Sequence, residues 1–174
     1  VCDDLLVAYP PVGQPRATRL AALPETVKLT VALDSRRAVD DIAAAAREAD
    51  RPIGVYVELD LGMHRVGLPR VEDALNLARA VRDNAPLEFE GLAFYPGHVR
   101  EPVDRQNESL ASLGRAIAHA VETFDRADCR PSVVSGGSTP TLWRTHELPG
   151  VTEFRPGTYV YNDRVTHALG ACDW

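Results

Sequence analysis

The chain has 174 residues, 45% of them hydrophobic, with 19 Lys and Arg against 25 Asp and Glu for a net charge of −6. That much apolar material excludes a disordered chain, and an acidic balance argues against a nucleic-acid groove, because phosphate backbones need a basic face. No apolar run approaches the roughly 18 residues that a membrane-spanning helix requires, so neither nucleic acid nor membrane is expected as a partner. Three cysteines, Cys2, Cys129 and Cys172, form no CxxC pair, which points to a reduced, cytoplasmic protein. The chain opens with Val1-Cys2-Asp3-Asp4 almost directly before an apolar strand and stops at Asp173-Trp174 shortly after another strand-like run, so a piece of a longer chain is expected.

Taken in order, short β-rich runs alternate with amphipathic helical ones. Strands are expected at 5–9, 27–33, 53–59, 88–95, 132–135 and 158–161, and helices at 16–23, 36–49, 71–84, 103–128 and briefly near 140–145. Ser35 is placed to cap the second helix. In the fourth, Leu110, Leu113, Ile117, Ala120, Val121 and Phe124 recur at spacings of 3 and 4, the stripe of a core-facing helix. No repeat or linker interrupts the pattern, which reads as one domain over 1–174. Alternating βα units predict an α/β fold with a parallel sheet.

Unusual residues fall beside almost every strand. An open doubly wound sheet concentrates its site at one switch point, whereas a barrel draws on many strand ends. The expected fold is therefore a partial (β/α)8 TIM-type barrel of about six of eight units.

Four motifs carry chemistry. In Ser135-Gly136-Gly137-Ser138-Thr139 two glycines let the backbone approach an anion, and the N–H groups and hydroxyls suit phosphate oxygens. A Gly-Gly turn with a Ser/Thr cap is the plainer alternative. The loop Asp60-Leu61-Gly62-Met63-His64-Arg65-Val66-Gly67 delivers Arg65, whose fixed, permanent charge suits an anionic oxygen. Its structural alternative is an Asp60–Arg65 pair that braces the loop, with His64 a bystander. Tyr95-Pro96-Gly97-His98 offers an aromatic ring and an imidazole at a strand end. Finally, Arg155-Pro156-Gly157-Thr158 is a tight turn at the expected entry to the last strand. His167 and Cys172 match no zinc spacing.

In this order, these four motifs resemble the D-threonine aldolase and D-serine dehydratase-like family, pyridoxal-phosphate enzymes with an alanine-racemase-like barrel. The run Asp4-Leu5-Leu6-Val7-Ala8-Tyr9-Pro10 is similar to the family's second barrel strand. The resemblance implies that Ser135, Gly136, Gly137, Ser138 and Thr139 hold the phosphate of pyridoxal 5′-phosphate together with Gly157 and Thr158. It implies Arg65 at the phenolic oxygen and Tyr95 beside the ring, near its nitrogen. His98 would carry a proton for the substrate's side-chain hydroxyl. Arg155 occupies the place of the pyridine-nitrogen arginine of alanine racemases, or is structural where Tyr95 takes that part.

The implied activity is a lyase cleaving D-β-hydroxy-amino acids, of D-threonine aldolase type ahead of D-serine dehydratase type, acting as a homodimer. The family's divalent metal has no ligands in this chain. Its cofactor-bearing lysine belongs at the end of the family's first barrel strand, upstream of this chain, so a fragment lacking that barrel strand and the C-terminal β domain is expected, inactive by itself. Lys28, the one lysine present, lies near the start of its strand, about 16 Å from the other end at about 3.3 Å per residue. A non-catalytic cofactor-binding protein and a sugar-phosphate-binding barrel are the rival readings.

Overall fold

The structure is a computed structural model that describes residues 2–173. They form two compact units. The first comprises the described residues up to Leu59 together with Val66–Ala93, the second Asp60–Arg65 and the residues from Phe94 onward.

In the first unit the strands β1 (Asp4–Val7), β2 (Lys28–Leu33), β3 (Ile53–Leu59) and β4 (Leu87–Phe94) are ordered as in the chain, with β4 contributing all but its last residue. β1 pairs β2 in parallel, Asp4 opposite Lys28, and β2 pairs β3 in parallel, Thr30 opposite Gly54. All seven residues of β3 are buried, as a parallel strand covered on both faces requires. Helices α1 (Gln14–Ala21), α2 (Arg36–Glu48) and α3 (Val71–Arg82) follow the first three strands.

Ser35 Oγ accepts from Ala38 N, so α2 begins at the expected cap. Val39 and Ile42 on its inner face are fully buried, each contributing about 1.5–3 kcal/mol of burial. Two polar side chains in this unit are spent on the fold. Arg51, 5% exposed, donates to the carbonyls of Ala21, Leu23 and Val27. Asp41 accepts from Gly13 N and Arg37 Nε, tying α2 to the start of α1.

The second unit contains the parallel pair β5 (Val133–Gly136) and β6 (Glu153–Phe154), with Ser135 opposite Glu153 and Gly136 opposite Phe154. Its core is Phe94, Leu110, Leu113, Ile117, Val134 and Leu148. The middle of that set is the expected stripe of α4 (Asn107–Arg126), which is preceded by a 3₁₀ turn over Val103–Arg105. Gly136 has no alternative there, because a Cβ would lie 2.2 Å from Phe94 Cζ.

The end of the chain differs from expectation. The run expected as a strand at 158–161 forms a 3₁₀ turn, Thr158–Val160, and the strand is Glu153–Phe154. Its aromatic and β-branched residues favour a strand, yet Tyr159, Val160 and Tyr161 are 51%, 61% and 94% exposed and meet no neighbouring strand. The Arg155-Pro156-Gly157-Thr158 turn therefore leaves the last strand rather than entering it. The brief helix near 140–145 is a series of turns leading into a 3₁₀ turn at Thr145–Glu147. An unexpected helix, α5 (Arg164–Ala168), is capped by Asp163, which accepts from Thr166 N at 2.7 Å.

Candidate active site

All the predicted site residues belong to the second unit. The loop after β3 is shaped by Asp60, whose Oδ1 accepts from Gly62 N at 3.0 Å and His64 N at 2.9 Å. Its Oδ2 lies 2.9 Å from His64 Nδ1. Burial acts to raise the Asp60 carboxyl, but the N–H donors of His64 and Gly62 and the His64 ring outweigh it and hold it below the usual aspartate range. Asp60 thus pairs with His64. The Arg65 guanidinium lies 4.4 Å above the Tyr95 ring centroid, a cation–π contact.

His98, four residues after Phe94, is exposed, and its ring packs against the turn at Gly62. The Asp60–Arg65 loop and the Tyr95–His98 loop therefore make one assembly, with guanidinium, phenol and imidazole on it.

The hydroxyls of the Ser135–Thr139 loop have separate fates. Ser135 Oγ donates to the Glu153 carboxylate. Ser138 Oγ pairs with Thr141 Oγ1 at 3.1 Å. Thr139 Oγ1 is buried and has no hydrogen-bond partner. Gly137 holds φ +109°, and a Cβ there would stand 3.2 Å from Phe154 Cβ and 3.3 Å from Thr145, so only glycine lets the chain turn at this point.

Arg155 Nη2 donates to Phe94 O at 3.1 Å and Ser135 O at 3.3 Å, and Arg155 N donates to Gly136 O. Its guanidinium braces strand ends. Gly157 and Thr158 are exposed. A cleft of about 200 Å³ is lined by Tyr95, Gly97, Arg100, Pro140, Thr158 and Asp163, among others. A larger groove of about 460 Å³ lies in the first unit beside Val7, Tyr9, Pro11, Arg16 and Leu20, and none of the predicted site residues lines it.

These residues fit a phosphorylated aromatic aldehyde. An orphaned buried hydroxyl sits in a loop that only glycine can shape, and a guanidinium lies over an aromatic ring on the facing segment. Among the described residues no three His, Cys, Asp or Glu side chains converge on one point. Among the described residues, too, no helix is long and apolar enough to cross a membrane. Lys28 is the first residue of β2, and its Nζ lies 3.2 Å from Glu90 Oε1 in the first unit. That hydrogen bond and the Glu90 charge raise its pKa above the ordinary lysine value.

Comparison with known proteins places this arrangement. Residues 9–165 match the family described as Alanine racemase, N-terminal domain. The chain belongs to that family. It is 30% identical over 164 residues to the 3-hydroxy-D-aspartate aldolase of Paracoccus denitrificans (strain Pd 1222), covering 92% of this chain and 42% of that protein. To the D-threo-3-hydroxyaspartate dehydratase of Delftia sp. (strain HT23) it is 34% identical over 170 residues, 95% of this chain and 44% of that one. The crystal structure of D-threonine aldolase from Filomicrobium marinum superposes with a TM-score of 0.89 at 25% identity, over 94% of this chain and 45% of the other. This alanine racemase-like chain thus spans less than half the length of each of these relatives. The expected fold class, α/β and part of a (β/α)8-type barrel, holds.

Sequence reading missed two contributors to the site's frame. Asp163 as the cap of α5 was signalled by its position three residues before Thr166. Gln106 carried no motif signal, because one of its partners, Pro140, is remote in the chain.

Proposed function

We propose that this chain is the cofactor-binding portion of a pyridoxal-phosphate-dependent lyase that acts on D-β-hydroxy-amino acids, with aldolase-type cleavage to glycine and an aldehyde ahead of dehydration. The observation that carries the reading is the Arg65–Tyr95 stack in the same compact unit as the unpartnered Thr139 hydroxyl. The names of the Paracoccus, Delftia and Filomicrobium relatives, two aldolases and a dehydratase of hydroxylated D-amino acids, support the substrate class.

When bound, the cofactor withdraws electrons from the substrate's Cα and so weakens the bonds to it. Within this reading Thr139, with the backbone of Gly136–Ser138, holds the phosphate, and Gly157 and Thr158 close over it. Ser135 and Ser138 brace the loop through Glu153 and Thr141. Arg65 sets its charge against the phenolic oxygen, and Tyr95 lies at the ring. His98, exposed and packed against the turn at Gly62, takes the proton of the substrate's β-hydroxyl. Arg155 fixes the strand ends that carry these loops. Homodimerisation and cytoplasmic residence belong to the same proposal and rest on the family resemblance and the composition.

A cofactor-holding protein without turnover is the second reading, favoured by Lys28. Its amine is kept charged by Glu90, the wrong state for attack on an aldehyde. The test is to add pyridoxal 5′-phosphate, follow the absorption spectrum, reduce with borohydride and map any adduct by mass spectrometry. Saturable, reversible binding without an adduct on Lys28 is expected. Absence of binding would remove the cofactor reading, and an adduct on Lys28 would overturn the placement of that lysine. In the whole protein, glycine plus an aldehyde as products decides for the aldolase, and a 2-oxo acid plus ammonia for the dehydratase.

A further inference from the structure

Two segments carry the proposed cofactor contacts, the Tyr95–His98 loop that continues to Glu101, and the Ser135–Thr139 loop that continues to Pro140. One buried side chain joins them. Gln106, 0% exposed at the start of α4, donates from Nε2 to Glu101 O at 3.0 Å and to Pro140 O at 2.9 Å. Two carbonyl acceptors need an NH₂ group, so the orientation of this amide is fixed by its partners. The backbone of Gln106 is itself anchored, since its carbonyl accepts from Leu110 N at 2.9 Å in the first turn of α4. Ser109 Oγ, on that same turn, donates to Glu101 Oε1 at 2.6 Å and secures the same residue through its side chain.

The amide leaves its Oε1 buried without a partner. An apolar side chain of the same volume would avoid that cost, so filling space does not account for a glutamine here. A second link, Arg144 Nη1 to Val103 O at 3.3 Å, is longer, and the same guanidinium is shared with Glu147.

We infer that Gln106 is a positioning residue that sets the register between the ring-holding and phosphate-holding loops, an inference that rests on the cofactor reading above. A ligand whose ring and phosphate are covalently joined engages both loops at once, and its affinity depends on their spacing. Inorganic phosphate, or pyridoxal lacking the phosphate, engages one loop and is indifferent to it. Register therefore shows as a loss for the joined ligand that neither part displays.

The experiment compares the 174-residue chain with Gln106→Met and Gln106→Glu, after circular dichroism and melting confirm that each is folded. In Gln106→Met the dissociation constant for pyridoxal 5′-phosphate should rise about tenfold or more, while those for inorganic phosphate and pyridoxal, followed by NMR titration, stay within about twofold of wild type. Gln106→Glu should lose the joined ligand at neutral pH and regain part of it, relative to wild type, as pH falls. Its protonated carboxyl recovers one O–H donor, which methionine lacks at any pH.

Unchanged affinity for the joined ligand in folded Gln106→Met overturns the inference. So does a parallel loss of phosphate affinity, which would confine Gln106 to shaping one loop. If Gln106→Met does not fold, the Glu variant decides, and a folded variant whose affinity relative to wild type ignores pH overturns the inference. A wild-type chain that binds no pyridoxal 5′-phosphate removes the cofactor reading itself, a separate outcome.

Discussion

Particular polar side chains of the two units have different fates. In the first, Arg51 spends its guanidinium on three carbonyls, Asp41 closes on Gly13 and Arg37, and Glu90 takes both Lys28 and Thr30. In the second, Thr139 Oγ1 and Gln106 Oε1 are buried without partners. Each unpaired buried atom costs stability. The contrast is between these groups spent on the frame and these two oxygens beside the proposed site.

The sharpest way to break that contrast is Arg51→Met, which strips three carbonyls of a buried donor. It should lower unfolding stability by about 3 kcal/mol or more in urea titrations and leave the cofactor affinity of the folded fraction unchanged. Equal loss of affinity would show that frame and site are not separable.

Gly137→Val should come next. It puts a β-branched residue at φ +109° and should cost about 1–3 kcal/mol while abolishing the rise in melting temperature that pyridoxal 5′-phosphate gives by mass action. Retained ligand stabilisation would move the phosphate elsewhere.

Arg65→Ala reverses the balance. An exposed side chain costs within about 0.5 kcal/mol of stability, but loss of a charged contact should weaken cofactor binding about tenfold to a hundredfold. A large stability loss with unchanged affinity would make Arg65 a loop brace.

The smallest effect is on pH. The Asp60 carboxyl titrates below the ordinary aspartate value in the folded chain, so its contribution is complete above about pH 4, the unfolded value. It is lost as pH falls through the lower, folded pKa. The stability difference between wild type and Asp60→Asn should therefore shrink as pH falls below about 4. A difference that stays constant in that acid range would contradict the assigned hydrogen bonds.

Much of this was legible in the chain. Five of the six strands and α1 to α4 fall within a few residues of their expected places, because periodicity and capping are local signals. The stripe from Leu110 to Phe124 and the cap at Ser35 were read directly. The last strand was misplaced because Thr158–Tyr161 has strong strand composition, whereas pairing with Ser135 and Gly136 selected Glu153 and Phe154. Propensity describes a residue, and pairing depends on what lies beside it.

The candidate site divides along the same line. Residue type and order within four short motifs were enough to single out Arg65, Tyr95, His98 and the Ser135–Thr139 loop. Only the tertiary structure decided that Asp60 takes His64 and that Arg65 lies over Tyr95, that Ser135 and Ser138 are bound inward while Thr139 is not, and that Arg155 braces two strand ends. A motif fixes which donors and acceptors lie within a few residues of one another. Which of them remain uncommitted depends on partners from distant parts of the chain, as when Gln106 meets Pro140 or Arg155 meets Phe94, and those meetings exist only once the core has packed.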